Sequence, residues 1–135
     1  MNYYDNNRVK KKSKLLVIDD NGQTQMLIRD LLEDTGINII ESDCGIKAFE
    51  IVKDLQDQIG LILLDIYLPD CDGWTLAEQI RQLSPNIPIL AISAMLPVEL
   101  AENCRSAGLN GYFSKPLDII RLKETIISYL CQNDN

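Results

Sequence analysis

Five short apolar runs, each followed by polar residues and then by an amphipathic stretch, constrain this chain more than any other feature. The runs are Leu15–Ile18 ahead of Asp19-Asp20, Ile37–Ile40 ahead of Glu41-Ser42, Leu61–Leu64 ahead of Asp65, Ile87–Ile92 ahead of Ser93, and Gly111–Phe113 ahead of Lys115-Pro116. They are continuous rather than alternating, the pattern of parallel strands covered on both faces. The stretches between them carry helical periodicity. Gln23–Thr35 places Leu27, Leu31 and Ile28, Leu32 at i,i+4 spacing, with Gly36 where a C-cap glycine belongs. Ile46–Gln56 puts Ala48, Ile51, Val52 and Leu55 on one face, and Trp74–Leu83 turns Ala77 and Ile80 inward. Pro97 opens and Gly108 closes a helix over Pro97–Ala107. Asp118 caps a last helix that runs through Leu130, with Ile119, Leu122, Ile126 and Leu130 along one face. Five strands alternating with five helices predict a (βα)5 chain, a doubly wound parallel α/β sandwich of three layers. At 135 residues this is one domain.

Several classes are excluded by the same reading. No apolar run approaches the ~20 residues of a membrane span, and no apolar stretch follows the basic N-terminus to make a signal peptide. The chain contains no His, which removes His-based acid–base chemistry and every Ser-His or Cys-His pair. Neither a G-x-x-x-x-G-K-[ST] nor a G-x-G-x-x-G loop is present for a nucleotide. Cys44, Cys71, Cys104 and Cys131 lie far apart and form no C-x-x-C pair, so they read as thiols in a reducing cytosol.

Charge divides unevenly. Residues 1–14 carry a net +4 and the remainder −11. An acidic body argues against nucleic-acid binding. Residues 1–13 read as a flexible basic tail, 14–131 as the folded domain, and 132–135 as a C-terminal tail.

In open parallel sheets ligands bind beyond the carboxyl ends of the strands. The residues there are Asp19, Asp20, Asp65, Ser93 and Lys115. Two carboxylates about 4 Å apart repel by roughly 4 kcal/mol at an effective dielectric near 20. One lysine does not balance three of them, whereas a hard divalent cation with oxygen ligands does. The set therefore predicts a Mg2+ site at Asp19, Asp20 and Asp65, completed by backbone carbonyls and waters. A carboxylate so placed can itself accept a phosphoryl group. Asp65, at the end of the strand expected to be central, is the expected nucleophile.

At these residues the chain resembles the receiver domain of two-component response regulators, over about Lys14 to Cys131. The resemblance is carried by four features in order: Asp19-Asp20; D-I-Y-L-P-D-C-D-G from Asp65 to Gly73, against the family's D-x-x-M-P-x-M-D-G; Ser93-Ala94; and Gly111 to Pro116, against G-x-x-x-K-P. It implies a flavodoxin-like fold with strand order 2-1-3-4-5. It implies that Asp65 takes phosphate from a histidine kinase or histidine phosphotransfer protein, and that Asp19, Asp20, Asp65 and the backbone carbonyl of Tyr67 hold Mg2+. Lys115 would pair with Asp65 and then with the phosphate, its bond to Pro116 being cis. Ser93 would bond a phosphate oxygen, and Tyr112 would turn inward when Ser93 moves. That motion would alter the face of the fourth helix, fifth strand and fifth helix, where a downstream effector docks. A cytoplasmic monomer or weak homodimer is implied, without membrane or nucleic-acid contact, catalysing only its own phosphorylation and dephosphorylation.

Leu68 and Ser93 depart mildly from the family's usual Met and Thr. Tyr67 and Met95 are bulky where some relatives carry small or polar groups, at positions flanking the path of a hydrolytic water, which predicts slow self-dephosphorylation. Cys71 reads as a passive thiol without a basic neighbour, and Trp74 as a fluorescent reporter of Mg2+. The chain ends soon after its fifth helix, which leads to the expectation of a stand-alone switch acting by surface contact. The alternatives are a phosphorelay intermediate, a Mg2+-dependent phosphatase of the haloacid dehalogenase type, and a non-phosphorylated scaffold. The phosphatase lacks its second acid, since Tyr67 stands where D-x-D needs one. An intact acid set argues against the scaffold.

Overall fold

A computed structural model describes residues 8–9 and 12–132 of the chain. Five strands, β1 (Lys14–Ile18), β2 (Ile39–Ser42), β3 (Ile59–Asp65), β4 (Ile89–Ser93) and β5 (Gly111–Ser114), alternate with α1 (Gly22–Leu32), α2 (Gly45–Leu55), α3 (Gly73–Leu83), α4 (Pro97–Ala107) and α5 (Ile119–Leu130). The strands are all parallel and pair in the order β2-β1-β3-β4-β5, the flavodoxin-like order expected. Arg8 and Val9 pair antiparallel with Gln132 and Cys131 as a short separate ribbon. Of the two expected tails, residues 1–7, 10–11 and 133–135 lie outside the described residues.

The strands are apolar throughout because each buries both faces. Leu16, Ile18, Ile62 and Leu64 face one way, onto Ala48 and Val52 of α2, Leu76 and Ile80 of α3, and Leu100 of α4. Leu15, Val17, Leu61 and Leu63 face the other, onto Ile28 and Leu32 of α1 and Leu122, Ile126 and Leu130 of α5. The three layers follow from this period of two. Burying one such Leu or Ile contributes about 1.5–3 kcal/mol, and every one of these four β3 side chains is fully buried.

Most element ends shift by one or two residues from the sequence reading, as where β3 begins at Ile59 and β4 at Ile89, and two shifts have a visible cause. α1 ends at Leu32 rather than Thr35, because the backbone there switches to i→i−3 bonds, Glu33 N–H to Asp30 O at 3.4 Å and Thr35 N–H to Leu32 O at 3.0 Å, the latter joined by the Thr35 hydroxyl at 2.7 Å. Gly36 does adopt a positive φ of 76°, but three residues beyond the cap position. β2 begins at Ile39 rather than Ile37, since pairing with β1 starts at Leu15 opposite Ile39. Two apolar positions are also more exposed than their pattern suggests. Leu27 (38%) lies beside the buried Thr24–Ile28–Leu32 stripe, and Ile119 (43%) opens α5 one turn before its first buried residue, Leu122. Among the described residues no helix is long and apolar enough to cross a membrane.

Candidate functional site

Strand register brings the polar strand ends together. Ile18 lies opposite Leu64, so Asp19 follows β1 at the level of Asp65. Asp65 lies opposite Ile92, and Ser93 opposite Ser114, which puts Ser93 and Lys115 one step further along the same edge. One carboxylate oxygen each from Asp19, Asp20 and Asp65 falls within 4.8 Å of the others. Asp19 is fully buried, Asp65 nearly so at 5%, and Asp20 exposed.

The two buried carboxylates are each held by the loop that follows them. Asp19 Oδ1 accepts the Asn21 N–H at 2.8 Å, and Asn21 in turn caps α1 by accepting from the Gln23 and Thr24 amides. Asp65 Oδ1 accepts the Tyr67 N–H at 3.1 Å. Lys115 Nζ bridges the two acids, 3.1 Å from Asp19 Oδ2 and 3.4 Å from Asp65 Oδ2. The Lys115–Pro116 peptide is cis. Burial, joined by the Asp19 charge, raises the Asp65 pKa against the opposing pull of the Tyr67 amide and of Lys115. Burial works against the Lys115 ammonium, but its bonds to Asp19 and Asp65 outweigh that and hold its pKa above the usual lysine value.

The loop from Asp65 to α3 is closed on itself. Gly73 N–H donates to Ile66 O at 2.9 Å, and Tyr67 and Asp72 form an antiparallel bridge. A Cβ at Gly73 would fall 2.6 Å from Ile66 Cα and 2.9 Å from Asp65 O, so only glycine allows α3 to start this close to the strand end. Asp72 caps α3 through the Trp74 N–H at 2.9 Å.

The remaining expected residues sit at the same edge in different states. Ser93 is fully buried, and its Oγ accepts the Met95 N–H at 3.1 Å. The Tyr67 side chain is largely exposed. Tyr112 is half-buried against the cluster that holds α3 and α4. Cys71 has its pKa raised by burial and by the charges of Asp70 and Asp72, the state of an unreactive thiol. Three participants escaped the sequence reading. Asn21 carried a signal, as an Asn directly before a helix. The Gln25 amide donates to Val17, Asp19 and Ser42 carbonyls at 3.1–3.2 Å and ties β1 to β2 beside the acids. Asp70 joins the Asp65 loop to α2. Neither Gln25 nor Asp70 has a recognisable spacing, since both act across separate elements.

A half-buried lysine thus bridges two acids at a sheet edge, with a third carboxylate beside them. The response regulator receiver domain family model matches residues 15–127, and the chain belongs to that family. The polar-differentiation response regulator DivK of Brucella ovis is 31% identical over 118 residues, covering 86% of this chain and 94% of that protein. The osmosensing histidine protein kinase SLN1 of Saccharomyces cerevisiae is 33% identical over 132 residues, and the sensor histidine kinase RcsC of Salmonella typhi 29% over 115. The chain spans only 11% and 12% of those two kinases' lengths. Among solved structures, the receiver domain of sensor histidine kinase PA1611 from Pseudomonas aeruginosa, with magnesium ion coordinated in its active site cleft, is 28% identical. It superposes with a TM-score of 0.76 over 87% of this chain and 96% of that one. A CheY-like receiver domain protein from Methanospirillum hungatei shares the fold at 23% identity and a TM-score of 0.77, over 86% of this chain and 91% of that one.

Proposed function

We propose that residues 14–131 form a Mg2+-dependent phosphorylation switch in which Asp65 accepts a phosphoryl group from a histidine kinase or histidine phosphotransfer protein. The observation that carries this reading is the bridge from Lys115 Nζ to both Asp19 and Asp65 beside the three-carboxylate cluster. Three acids against one ammonium, with oxygen donors within 4.8 Å of one another, fit a hard divalent cation. Asp19, Asp20, Asp65 and the Tyr67 backbone carbonyl are the residues that would hold it. When bound, Mg2+ supplies positive charge against the phosphoryl oxygens and offsets the repulsion among the acids.

The chain's own groups do the rest. An Asp65 carboxylate oxygen bonds to phosphorus as the donor's phosphorus–nitrogen bond breaks, and that bond's electron pair leaves with the imidazole. The Tyr67 amide keeps Asp65 oriented, and Lys115 moves its charge from the carboxylate to the incoming phosphoryl oxygens. Ser93 hydrogen-bonds one of those oxygens, and Tyr112 then turns inward. This couples the site to the face of α4, β5 and α5, where Leu96 (67% exposed) and Val98 (72%) at the start of α4 offer apolar contacts to an effector. The protein acts in the cytoplasm as a monomer or weak homodimer, and its catalysis is confined to its own phosphorylation and dephosphorylation. A relay intermediate is the second reading, favoured by the match to segments of the two histidine kinases.

Incubation with acetyl phosphate and Mg2+, followed by intact mass, tests the proposal. A gain of one phosphoryl group is expected, lost on chelation of the metal and in Asp65→Asn. A gain that survives Asp65→Asn, or none in the unaltered chain, overturns it.

A further inference from the structure

The Asp70 side chain fastens the loop after β3 to its neighbouring helix. Asp70 Oδ1 accepts the Gly45 N–H at 2.8 Å, and Oδ2 accepts the Ile46 N–H at 2.9 Å. These are the first two amides of α2, which lack partners within the helix. α1, α3 and α5 are capped by Asn21, Asp72 and Asp118, each directly before its helix. The residue in that place for α2, Cys44, makes no side-chain capping bond. Its cap comes instead from a residue 25 positions beyond Gly45.

The fit around this contact is close. A Cβ on Gly45 would fall 2.2 Å from Cys71 Sγ and 3.4 Å from Asp70 Oδ1, so the loop seats on the bare Cα of residue 45. The two amides hold the Asp70 carboxyl below its usual range. At the other end of the same loop, the Tyr67 N–H orients Asp65, and the Tyr67–Asp72 bridge closes the loop between them. A displacement of Asp70 is therefore passed through a short closed segment to the main chain of Tyr67.

We infer that Asp70 is a positioning residue for the phosphoryl-accepting site: by capping α2 from the Asp65 loop, it fixes the Tyr67 main chain that orients Asp65. The inference rests on the Mg2+ site proposed above, because Tyr67 is also the backbone ligand assigned there. Asp70 touches neither metal nor phosphate in this scheme and acts only through the loop.

The test uses the full chain, Asp70→Ala, Asp70→Asn, and Thr35→Ala as a destabilised control at the far end of α1. Two readouts are taken: amide hydrogen exchange of Tyr67 without metal, and the Mg2+ half-saturation concentration from Trp74 fluorescence. Asp70→Ala speeds Tyr67 exchange and raises the half-saturation concentration by roughly tenfold or more, the usual scale for losing a residue that orients a ligand. Asp70→Asn retains an acceptor oxygen and shows a smaller shift, and Thr35→Ala leaves the half-saturation concentration unchanged. Where Asp70→Ala does not fold, Asp70→Asn decides, and an unchanged half-saturation overturns the inference. A Thr35→Ala shift as large as that of the Asp70 variants also overturns it, since general loosening then explains both. An unaltered chain whose fluorescence and amide shifts ignore Mg2+ ends the magnesium reading and this inference together; normal titration by every variant ends this inference alone.

Discussion

Lys115 Nζ lies 3.1 Å from Asp19 Oδ2, a contact between residues 96 positions apart in the chain. Asp19 is fully buried, and Lys115 pairs with it as its counter-ion. The lysine thus neutralises part of a cluster that would otherwise carry three like charges.

Lys115→Met tests that role. Leaving Asp19 buried without its cation is expected to lower the unfolding free energy of metal-free protein by about 1–3 kcal/mol. Added Mg2+ should then stabilise the variant more than it stabilises the unaltered chain, since more uncompensated negative charge awaits it. Urea unfolding with and without Mg2+ measures both effects; equal Mg2+ stabilisation of the two proteins contradicts the account.

The lifetime of the phosphorylated form should depend on Tyr67 and Met95. Tyr67 is 61% exposed beside Asp65, and Met95 is partly buried two residues beyond Ser93. Tyr67→Asn and Met95→Glu are each expected to speed loss of the phosphoryl group several-fold, on the order of 1 kcal/mol in the hydrolytic barrier. Intact mass against time after removal of the phosphodonor provides the measurement, and slower loss in either variant refutes the expectation.

Alkaline stability should report on Cys104. Its thiol is buried in α4, with Sγ 3.7 Å from Gly111 O, and burial raises its pKa from 9.0 to about 11. A pKa raised by folding favours the native state fully below the unfolded value, and this advantage is lost as pH climbs through the folded one. Between pH 9.0 and about 11 the contribution of Cys104 should fall by roughly 2–3 kcal/mol. Cys104→Ala should be less stable at neutral pH, because of its cavity, yet show a shallower decline across that window in guanidinium unfolding. Parallel declines count against the assignment.

Arg81 should be a stabilising residue far from the acidic edge. Its guanidinium donates to Gly108 O and Asn110 Oδ1 at 2.8–3.2 Å and also to Ile87 O, joining the end of α3 to the segments before β4 and β5. Arg81→Met is expected to cost about 1–3 kcal/mol and to leave phosphoryl acceptance from acetyl phosphate unchanged. Thermal unfolding and intact mass separate the two; retained stability would show that water replaces the guanidinium without loss.

The sequence was most informative where chemistry repeats along the chain. Continuous apolar runs such as Leu61–Leu64 marked strands buried on both faces, and Pro97 with Gly108 marked both ends of α4 as the structure has them. It was least informative where the deciding bond is a local detail or joins distant elements. Nothing in the apolar pattern showed that α1 would tighten into i→i−3 bonds and end at Leu32.

By itself, then, the order of residues determined the five βα units, the parallel sheet and the polar side chains standing at its carboxyl edge, because burial and backbone pairing act on every residue of an element in the same way. Only the tertiary structure decided which of those side chains touch. Strand register sets Asp19 beside Asp65, Lys115 crosses the edge to bridge them, and Asp70 caps a helix that begins well before it in the chain. Contacts of that kind depend on distances of a few ångströms between elements far apart in sequence, and no periodicity along the chain encodes them.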